Sequence, residues 1–321
     1  MNTPFEQAYT SWLERLKITK NIDFKSHGIY KDQGILIEDV LSLSNEITEW
    51  TKEFSFEIFT FKPSHSIRFR MKNPDTIQVD YFQNTRYRYL IDFGYRGTLF
   101  QGTQRQNPPI RTVQNELENV LSHIFQTPIE IIPASRTDRG VHAFHNYAHF
   151  DIPPGVEIKE LKTIVKKMVP DDIKINDIFN VSSVFHARYD ALSKSYQYRL
   201  RLDLDVNFMH SAWSISSISM DELKEKLNLF EGVHDFRNFS KYRDFPSTIR
   251  LIESLKMWED NGTWIIEFVG PSFLRYMIRM IVGSLIKHDL NTIKKGLEEP
   301  TVSIGKHLAP SHGLYLMNIE Y

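Results

Sequence analysis

The sequence predicts an α+β protein with a two-lobed main body and a small module ahead of it. Strand-like and helix-like patterns alternate from residue 87 to the end of the chain, as expected where helices pack on sheets. Residues 1–86 have patterns of their own and contain no catalytic motif. A chain of 321 residues is long enough for two compact units.

In the first 86 residues, helices and strands are both predicted. Apolar residues recur at helical spacing over about 5–17, and residues 36–54 are interpreted as a second helix. Alternating apolar and polar residues predict strands at 54–58, 67–71 and 77–81, with turn-like breaks at 62–65 and 72–75. We interpret this part as a small α+β packing or docking extension. A role in substrate selection is the alternative.

The main body begins with a predicted strand at Tyr87. Further patterns predict strands at 173–181, 195–202, 263–269 and 314–321, and helices at 113–124, 221–230 and 273–287. The last of these helices is strongly apolar, which indicates a core element.

Composition excludes several classes of protein. The chain is 41% apolar and 25% charged, which is typical of a soluble globular protein, and no apolar run approaches the length of a membrane span. It has no cysteine, which excludes disulfides, thiolate metal sites and a cysteine nucleophile. Residues 1–30 have no apolar signal core.

The charge balance restricts how the chain could bind nucleic acid. Its net charge is −1, and the first 86 residues and the remainder are each close to neutral. Any affinity for RNA must therefore come from local clusters of basic residues. Such clusters occur at Arg136/Arg139, Arg199/Arg201, Lys241/Arg243 and Arg275/Arg279.

The most informative segment is Ala134-Ser135-Arg136-Thr137-Asp138-Arg139-Gly140-Val141-His142-Ala143. It places a carboxylate between two arginines, in a loop between two extended runs, where functional residues are often found. Flanking guanidinium groups favour an ionised carboxylate and attract a polyanion. The same pattern also fits a solvated turn with surface ion pairs.

This segment resembles the catalytic motif of the tRNA pseudouridine synthase A family, and four other segments resemble further motifs of that family in the same order. They are Arg111–Leu117, Phe185–Arg188 followed by Lys194–Tyr198, Ser272–Gly283, and Ala309–Leu316. The resemblance covers roughly residues 87–321, and Gly232–Phe236, which we interpret as a loop supporting the cleft, also matches. It implies the pseudouridine synthase fold, with antiparallel sheets of two α/β lobes, about 87–190 and 191–321, around a central cleft.

The resemblance implies an enzyme that isomerises uridine to pseudouridine in tRNA, in the anticodon stem-loop by analogy. That reaction breaks the N1–C1′ bond and rejoins uracil through C5, with no metal or redox cofactor. The resemblance makes Asp138 the nucleophile at C1′. Tyr196 would stack on the detached uracil, and could take a proton through its phenolate or a water. We expect at most one of Tyr196 and Tyr198 to be buried.

Arg279 lies within the apolar helix, where an unpaired guanidinium would be costly. We therefore expect it to pair with Asp138, as the basic residue of this motif does in the family. The remaining arginines are predicted to contact RNA: Arg136, Arg139, Arg188 and Arg275. Arg136 would help to hold the flipped-out uridine. The family resemblance also implies a homodimer with tRNA spanning both subunits, and a cytoplasmic location if the source is bacterial.

Some features depart from the family or fit another class. The family commonly has an Asp-Gly pair and then Gly-aromatic-Gln, whereas this chain has Phe93–Gly97 and then Thr103 in place of the aromatic. Three histidines within eight residues could suggest a metal site: His142, His145 and His149. No carboxylate or cysteine at ligand spacing accompanies them, so zinc is not expected.

Two other functions remain open. One is a catalytically inactive RNA-binding or tRNA-folding protein on the same fold. The other is a glycosidase that uses Asp138 and Asp92 as a carboxylate pair. The second would release free base from nucleic acid.

Overall fold

The structure, a computed structural model, describes most of the chain. The described residues are 21–26, 47–53, 56–61, 65–73, 76–83, 87–152, 157–181, 185–203, 205–216, 218–241 and 247–321. The chain divides into two compact units. The first comprises Met1–Leu90, Phe150–Glu157 and Phe179–His186, and the second comprises Ile91–His149, Ile158–Ile178 and Ala187–Tyr321.

A five-stranded sheet lies in the first unit. Its strands are β1 Asn21–Ser26, β2 Ile47–Glu53, β3 Phe56–Phe61, β4 His65–Asn73 and β5 Thr76–Gln83. The strand order is β1-β5-β4-β3-β2, with β1 parallel to β5 and the other neighbours antiparallel. The strands predicted around 54–58, 67–71 and 77–81 correspond to β3, β4 and β5, and are confirmed over their described residues.

One helix prediction for this unit is wrong over part of its length. Residues 47–53 form strand β2 rather than the end of a helix over 36–54. The strand is rich in β-branched and aromatic residues, Ile47, Thr48, Trp50 and Thr51, which favour a sheet. Residues 36–46 and the helix predicted at 5–17 lie outside the described residues. At the predicted turns, His65 and 72–73 belong to β4, and the remaining positions are not described.

The other strands follow from residue 87 onward. They are β6 Tyr87–Tyr95, β7 Ile131–Pro133, β8 His142–Ile152, β9 Ile173–Val181, β10 Ser193–Arg201, β11 Trp213–Ser214, β12 Gly232–Asp235, β13 Ile249–Ile252, β14 Ser254–Asp260, β15 Thr263–Gly270 and β16 Leu314–Glu320. Seven of these strands make the path β14-β15-β10-β16-β8-β6-β9, to which β11 and β7 add at β10 and β8. Strands β12 and β13 form a separate pair.

Strand β10 is central to the half of this sheet that holds β14, β15 and β16. It pairs antiparallel with β15 on one side and with β16 on the other. Strand β16 then joins β8 through a short parallel pair, Tyr315 with His142 and Leu316 with Ala143. The fold is a mixed α/β fold with a central sheet, as the pseudouridine synthase resemblance implies.

The described part of the chain contains five α-helices: α1 Val113–Phe125, α2 Ile158–Met168, α3 Met220–Asn228, α4 Met277–Lys287 and α5 Leu290–Glu298. Short 3₁₀ helices occur at Gly97–Leu99, Val206–Phe208 and Ser311–Gly313. Polar side chains cap three α-helices: the side-chain oxygens of Thr112, Ser219 and Asp289 each accept a backbone N–H. No helix among the described residues is both long and apolar enough to cross a membrane.

Two further predictions are corrected in this part of the chain. Helix α4 begins at Met277 instead of residue 273, because Tyr276 has a left-handed backbone with φ of 63° that cannot continue a helix toward its N-terminus. The predicted loop at 232–236 contains strand β12, which pairs with β13.

Candidate active site

Asp138 lies in the loop that connects β7 to β8. The Asn146 side chain holds the start of this loop: its Oδ1 accepts from Ser135 N at 3.2 Å and its Nδ2 donates to Ser135 O at 3.0 Å. The end of the loop is a tight turn, in which Val141 N donates to Asp138 O at 3.2 Å. Gly140 within it has φ of 82°, which favours glycine. The glycine two residues after the carboxylate is therefore required by the turn.

A cavity of about 730 Å³ opens beside this loop, within the second unit. All seven residues predicted for the site are among those lining it: Asp138, Tyr196, Arg279, Arg136, Arg139, Arg188 and Arg275. They come from separate parts of the sequence, namely the β7–β8 loop, the start of β10 with the residues before it, and α4 with the residues before it. The fold thus brings together every residue that sequence reasoning assigned to one site.

Asp138 forms an ion pair with Arg279, as expected from the sequence. Arg279 Nη1 lies 3.4 Å from Asp138 Oδ2, and the side chains of Arg279 and Asp138 are 11% and 23% exposed. Arg279 Nε also donates to Ala309 O at 2.8 Å, which fixes the guanidinium. Burial raises the pKa of Asp138 above its ordinary value, and the positive charges of Arg279, Arg275 and Lys241 oppose that rise.

Tyr276 brings these cations together, and sequence reasoning missed it. Its ring lies 5.0 Å from the guanidinium carbon of Arg275, 5.3 Å from that of Arg279 and 5.6 Å from Lys241 Nζ. These distances are in the range of cation–π interactions. Tyr276 itself lines the cavity. Only its position between two arginines of the matched motif could have drawn attention to it.

Tyr196 lines the same cavity from strand β10. Its ring packs edge-on against Phe273 with centroids 5.3 Å apart, and its hydroxyl lies 2.8 Å from Ser135 Oγ. Burial raises the pKa of Tyr196, and the charge of Asp138 adds to that rise. At neutral pH the side chain is a neutral phenol in contact with a serine hydroxyl. The phenolate considered from the sequence is therefore disfavoured in the free protein.

The expectation that at most one of the two β10 tyrosines is buried is wrong. Tyr196 is 7% exposed and Tyr198 is fully buried. The Tyr198 hydroxyl donates to Pro310 O at 2.7 Å, so its polar end is satisfied within the core. Two tyrosines on one face of a strand can both be buried when one has a buried acceptor and the other borders a cavity.

Lys194 is a second residue of the cavity that sequence reasoning did not assign to the site. Its Nζ donates to Ala134 O at 2.9 Å, at the start of the loop that carries Asp138. Burial, assisted by the charge of Arg188, lowers the pKa of Lys194 to about 8. Its place two residues before Tyr196 on β10 is the only sequence signal for it.

The three histidines considered as metal ligands have separate structural partners. His142 lies 3.0 Å from His210 O through Nε2, and its Nδ1 accepts from Gly97 N at 3.3 Å. His145 Nδ1 lies 2.9 Å from the Asp92 carboxylate, and His149 Nδ1 accepts from Ala187 N at 3.1 Å. Asp92 is committed to His145 and Asn176 and is not among the described residues that line the cavity. This geometry does not support a catalytic pair of Asp138 and Asp92.

Comparison with known proteins shows the family to which the chain belongs. A family model described as tRNA pseudouridine synthase matches residues 227–321. Proteins named tRNA pseudouridine synthase A from Dictyoglomus thermophilum and Exiguobacterium sp. are 36% and 32% identical, each over 73% of this chain and 99% and 98% of their own length. The one from Staphylococcus aureus strain MRSA252 is 31% identical over 72% of this chain and 91% of its own length.

A solved structure described as a Cbf5-Nop10-Gar1 complex aligns with 71% of this chain and 58% of its own, at 10% identity and a TM-score of 0.29. A likeness this weak adds nothing to the assignment. The relatives and the fold define an RNA pseudouridine synthase, an isomerase that acts in tRNA modification. The chain belongs to the tRNA pseudouridine synthase A family.

Proposed function

We propose that this enzyme isomerises a uridine in the anticodon stem-loop of tRNA, with Asp138 as its nucleophile. The observation that carries the proposal is the Asp138–Arg279 ion pair at the wall of a cavity. A carboxylate paired with a fixed guanidinium remains available as an anion despite its burial. The cavity lies within the size range of sites that accept small ligands, so it can hold one nucleoside.

In the proposed reaction, the carboxylate oxygen of Asp138 attacks C1′ of the uridine. The N1–C1′ bond breaks and its electron pair leaves with the uracil. The uracil turns, C5 forms a bond to C1′, and the Asp138–C1′ bond breaks to regenerate the carboxylate. Loss of the C5 proton to solvent and protonation of N1 from solvent complete pseudouridine, so the number of protons is unchanged. The buried phenol of Tyr196 and its Ser135 partner would hold the detached uracil during the turn.

The target uridine must leave its stack before its sugar can reach Asp138. Arg136 and Arg139 flank Asp138, are exposed and line the cavity, so they are suited to fill the vacated position and to contact phosphates. Arg188 and Arg275 are also exposed at the cavity. This local cluster of positive charge supports RNA binding by a chain that is nearly neutral overall.

We further propose that residues 87–321 are the catalytic body and that residues 1–86 are an extension. The body would be 235 of 321 residues, or 73%, which equals the share of the chain that the Dictyoglomus relative matches. From the family resemblance we also propose a homodimer, and a cytoplasmic location if the source is bacterial; the name of the relatives supports tRNA as the substrate.

The deciding experiment measures release of tritium from C5 of uridine-labelled tRNA by the natural protein and by Asp138→Asn. We expect release by the natural protein, none by Asp138→Asn, and equal tRNA affinity for both. Asp92→Asn is the matched control, because it removes a carboxylate outside the cavity, and it should retain activity. Mapping the product should find the modified position in the anticodon stem-loop.

Other outcomes would contradict the proposal. Full activity of Asp138→Asn would exclude Asp138 as the nucleophile. Accumulation of free uracil would favour a glycosidase, especially if Asp92→Asn also lost activity. Tight tRNA binding without product, on a complete tRNA set, would favour a binding or tRNA-folding role.

A further inference from the structure

Three hydroxyl groups form a closed triangle next to the catalytic loop. Thr103 Oγ1 lies 2.7 Å from Thr137 Oγ1, and the Tyr95 hydroxyl lies 2.9 Å from each of them. Thr103 is fully buried and Tyr95 is 6% exposed. Thr137 directly precedes Asp138. We name these three side chains the hydroxyl triangle.

Thr103 also forms hydrogen bonds with both the backbone N–H and the backbone C=O of Thr137. Thr137 N donates to Thr103 Oγ1 at 3.1 Å, and Thr103 N donates to Thr137 O at 3.2 Å. Thr103 Oγ1 therefore accepts a backbone N–H while it shares hydrogen bonds with two hydroxyls. Thr103 and Tyr95 are buried, so loss of the Thr103 oxygen would leave Thr137 N without this acceptor and would remove one hydrogen bond from each of the other two hydroxyls.

The segment that carries Thr103 is itself anchored to a helix. Val113 N donates to Gly102 O at 3.3 Å, and Gln114 N donates to Thr103 O at 3.0 Å, so the first turn of α1 is bonded to this segment. Gly102 has φ of 101°, and a Cβ there would lie 2.8 Å from Thr137 O. Residues 102–103 therefore contact the backbone of Thr137, which precedes Asp138, and are hydrogen-bonded to the first turn of helix α1.

We propose that Thr103 is a positioning residue: through Thr137 it sets the backbone from which Asp138 reaches C1′ of the target uridine. Arg279 holds the carboxylate end of Asp138, whereas Thr103 holds the main chain beside it. Thr103 stands where the resembled family has an aromatic residue, which has no small hydroxyl to make these bonds. The inference rests on the proposed role of Asp138 as nucleophile.

The test compares Thr103→Val, which keeps the shape and removes the hydroxyl, with Thr103→Ser, which keeps the hydroxyl. A displaced catalytic group lowers the rate of the chemical step, and a shift of about 1 Å can lower it about 100-fold. We expect Thr103→Val to lower the single-turnover rate constant, and with it kcat, by roughly 10- to 100-fold. KM and tRNA affinity should be unchanged. Thr103→Ser should restore most of the rate. Thr163→Val, on helix α2, is the matched control and should behave as the natural protein.

The outcomes separate this proposal from the proposed function. An active natural protein with an equally active Thr103→Val would overturn the positioning role alone. Equal losses in Thr103→Val and Thr103→Ser, or a loss confined to KM, would also overturn it. If Thr103→Val does not fold, Thr103→Ala removes the same hydroxyl without adding a methyl group in its place, and an unchanged kcat in that variant would refute the proposal. No tritium release by the natural protein would overturn both proposals.

Discussion

Removal of the charge on Arg279 should move the pH at which the enzyme becomes active. The carboxylate of Asp138 must be ionised to attack C1′ under the proposed function, so the acid limb of kcat/KM reports its ionisation in the free enzyme. Burial raises the pKa of Asp138, and Arg279 is the largest of the charges that oppose this rise. In Arg279→Met the pKa of Asp138 should therefore rise further, and the acid limb should move to higher pH.

The size of this shift follows from the geometry of the pair. At the 3.4 Å separation of Arg279 Nη1 and Asp138 Oδ2, two unit charges attract by about 5 kcal/mol at an effective dielectric constant of about 20. Since one pKa unit corresponds to about 1.4 kcal/mol, this sets an upper limit of between 3 and 4 units. Arg275, Lys241 and water at the cavity remain to stabilise the anion. We therefore expect a shift of about 1–3 pH units.

The assay is single-turnover pseudouridine formation as a function of pH. Arg279→Lys keeps the positive charge and should give a smaller shift than Arg279→Met. Arg275→Met is the matched control, since it removes a charge that is exposed and makes no hydrogen bond to Asp138, and its shift should be smaller still. An acid limb that stays in place in Arg279→Met, with folding intact by circular dichroism, would refute the electrostatic reasoning.

Two further predictions concern His142 and Lys194. Burial lowers the pKa of His142 from 6.5 to about 4, so the unfolded chain binds more protons in that window and stability falls as the pH drops from 6.5 to 4. Urea unfolding should show about 3 kcal/mol less acid destabilisation in His142→Phe than in the natural protein; parallel pH curves would contradict this. Lys194→Gln should weaken tRNA binding at pH 7 and reduce the slope of log affinity against log salt by about 0.7–0.9. The difference should shrink above about pH 8, where Lys194 loses its charge. A pH-independent difference would contradict a role of the Lys194 charge in binding phosphate.

The Asp138–Arg279 contact could be predicted because both residues pose a local problem that one partner solves. A guanidinium in an apolar helix requires a carboxylate, and Asp138 lies in a loop between strands, where it can reach another element. The two residues are 141 positions apart in sequence, and the family resemblance, which pairs the basic residue of this motif with the Asp, indicates which carboxylate is the partner. Five of the strands from 87 onward, β6, β9, β10, β15 and β16, could be predicted because the pattern of apolar residues along each is a local signal.

The failures have equally specific causes. Residues 47–53 are compatible with a helical or an extended pattern, and pairing with β3, which the sequence does not display, decides for the strand. The apolar run begins at Phe273, so the sequence pattern predicts a start of α4 four residues before the observed one at Met277. At Tyr276 the backbone has a left-handed conformation, which no side-chain pattern in the sequence predicts. In the first case the deciding interaction lies outside the segment 47–53 itself.

The hydroxyl triangle shows the limit of sequence reasoning more directly. Tyr95, Thr103 and Thr137 have no common period, no charge and no metal-ligand spacing, and each is ordinary in a buried strand or turn. From the sequence, Thr103 is notable only as a departure from the family. In the structure the same hydroxyl bonds to the residue before Asp138. Under the proposed function, the Thr at this position therefore bears on the placement of Asp138, because its hydroxyl bonds to the main chain of the loop that carries Asp138.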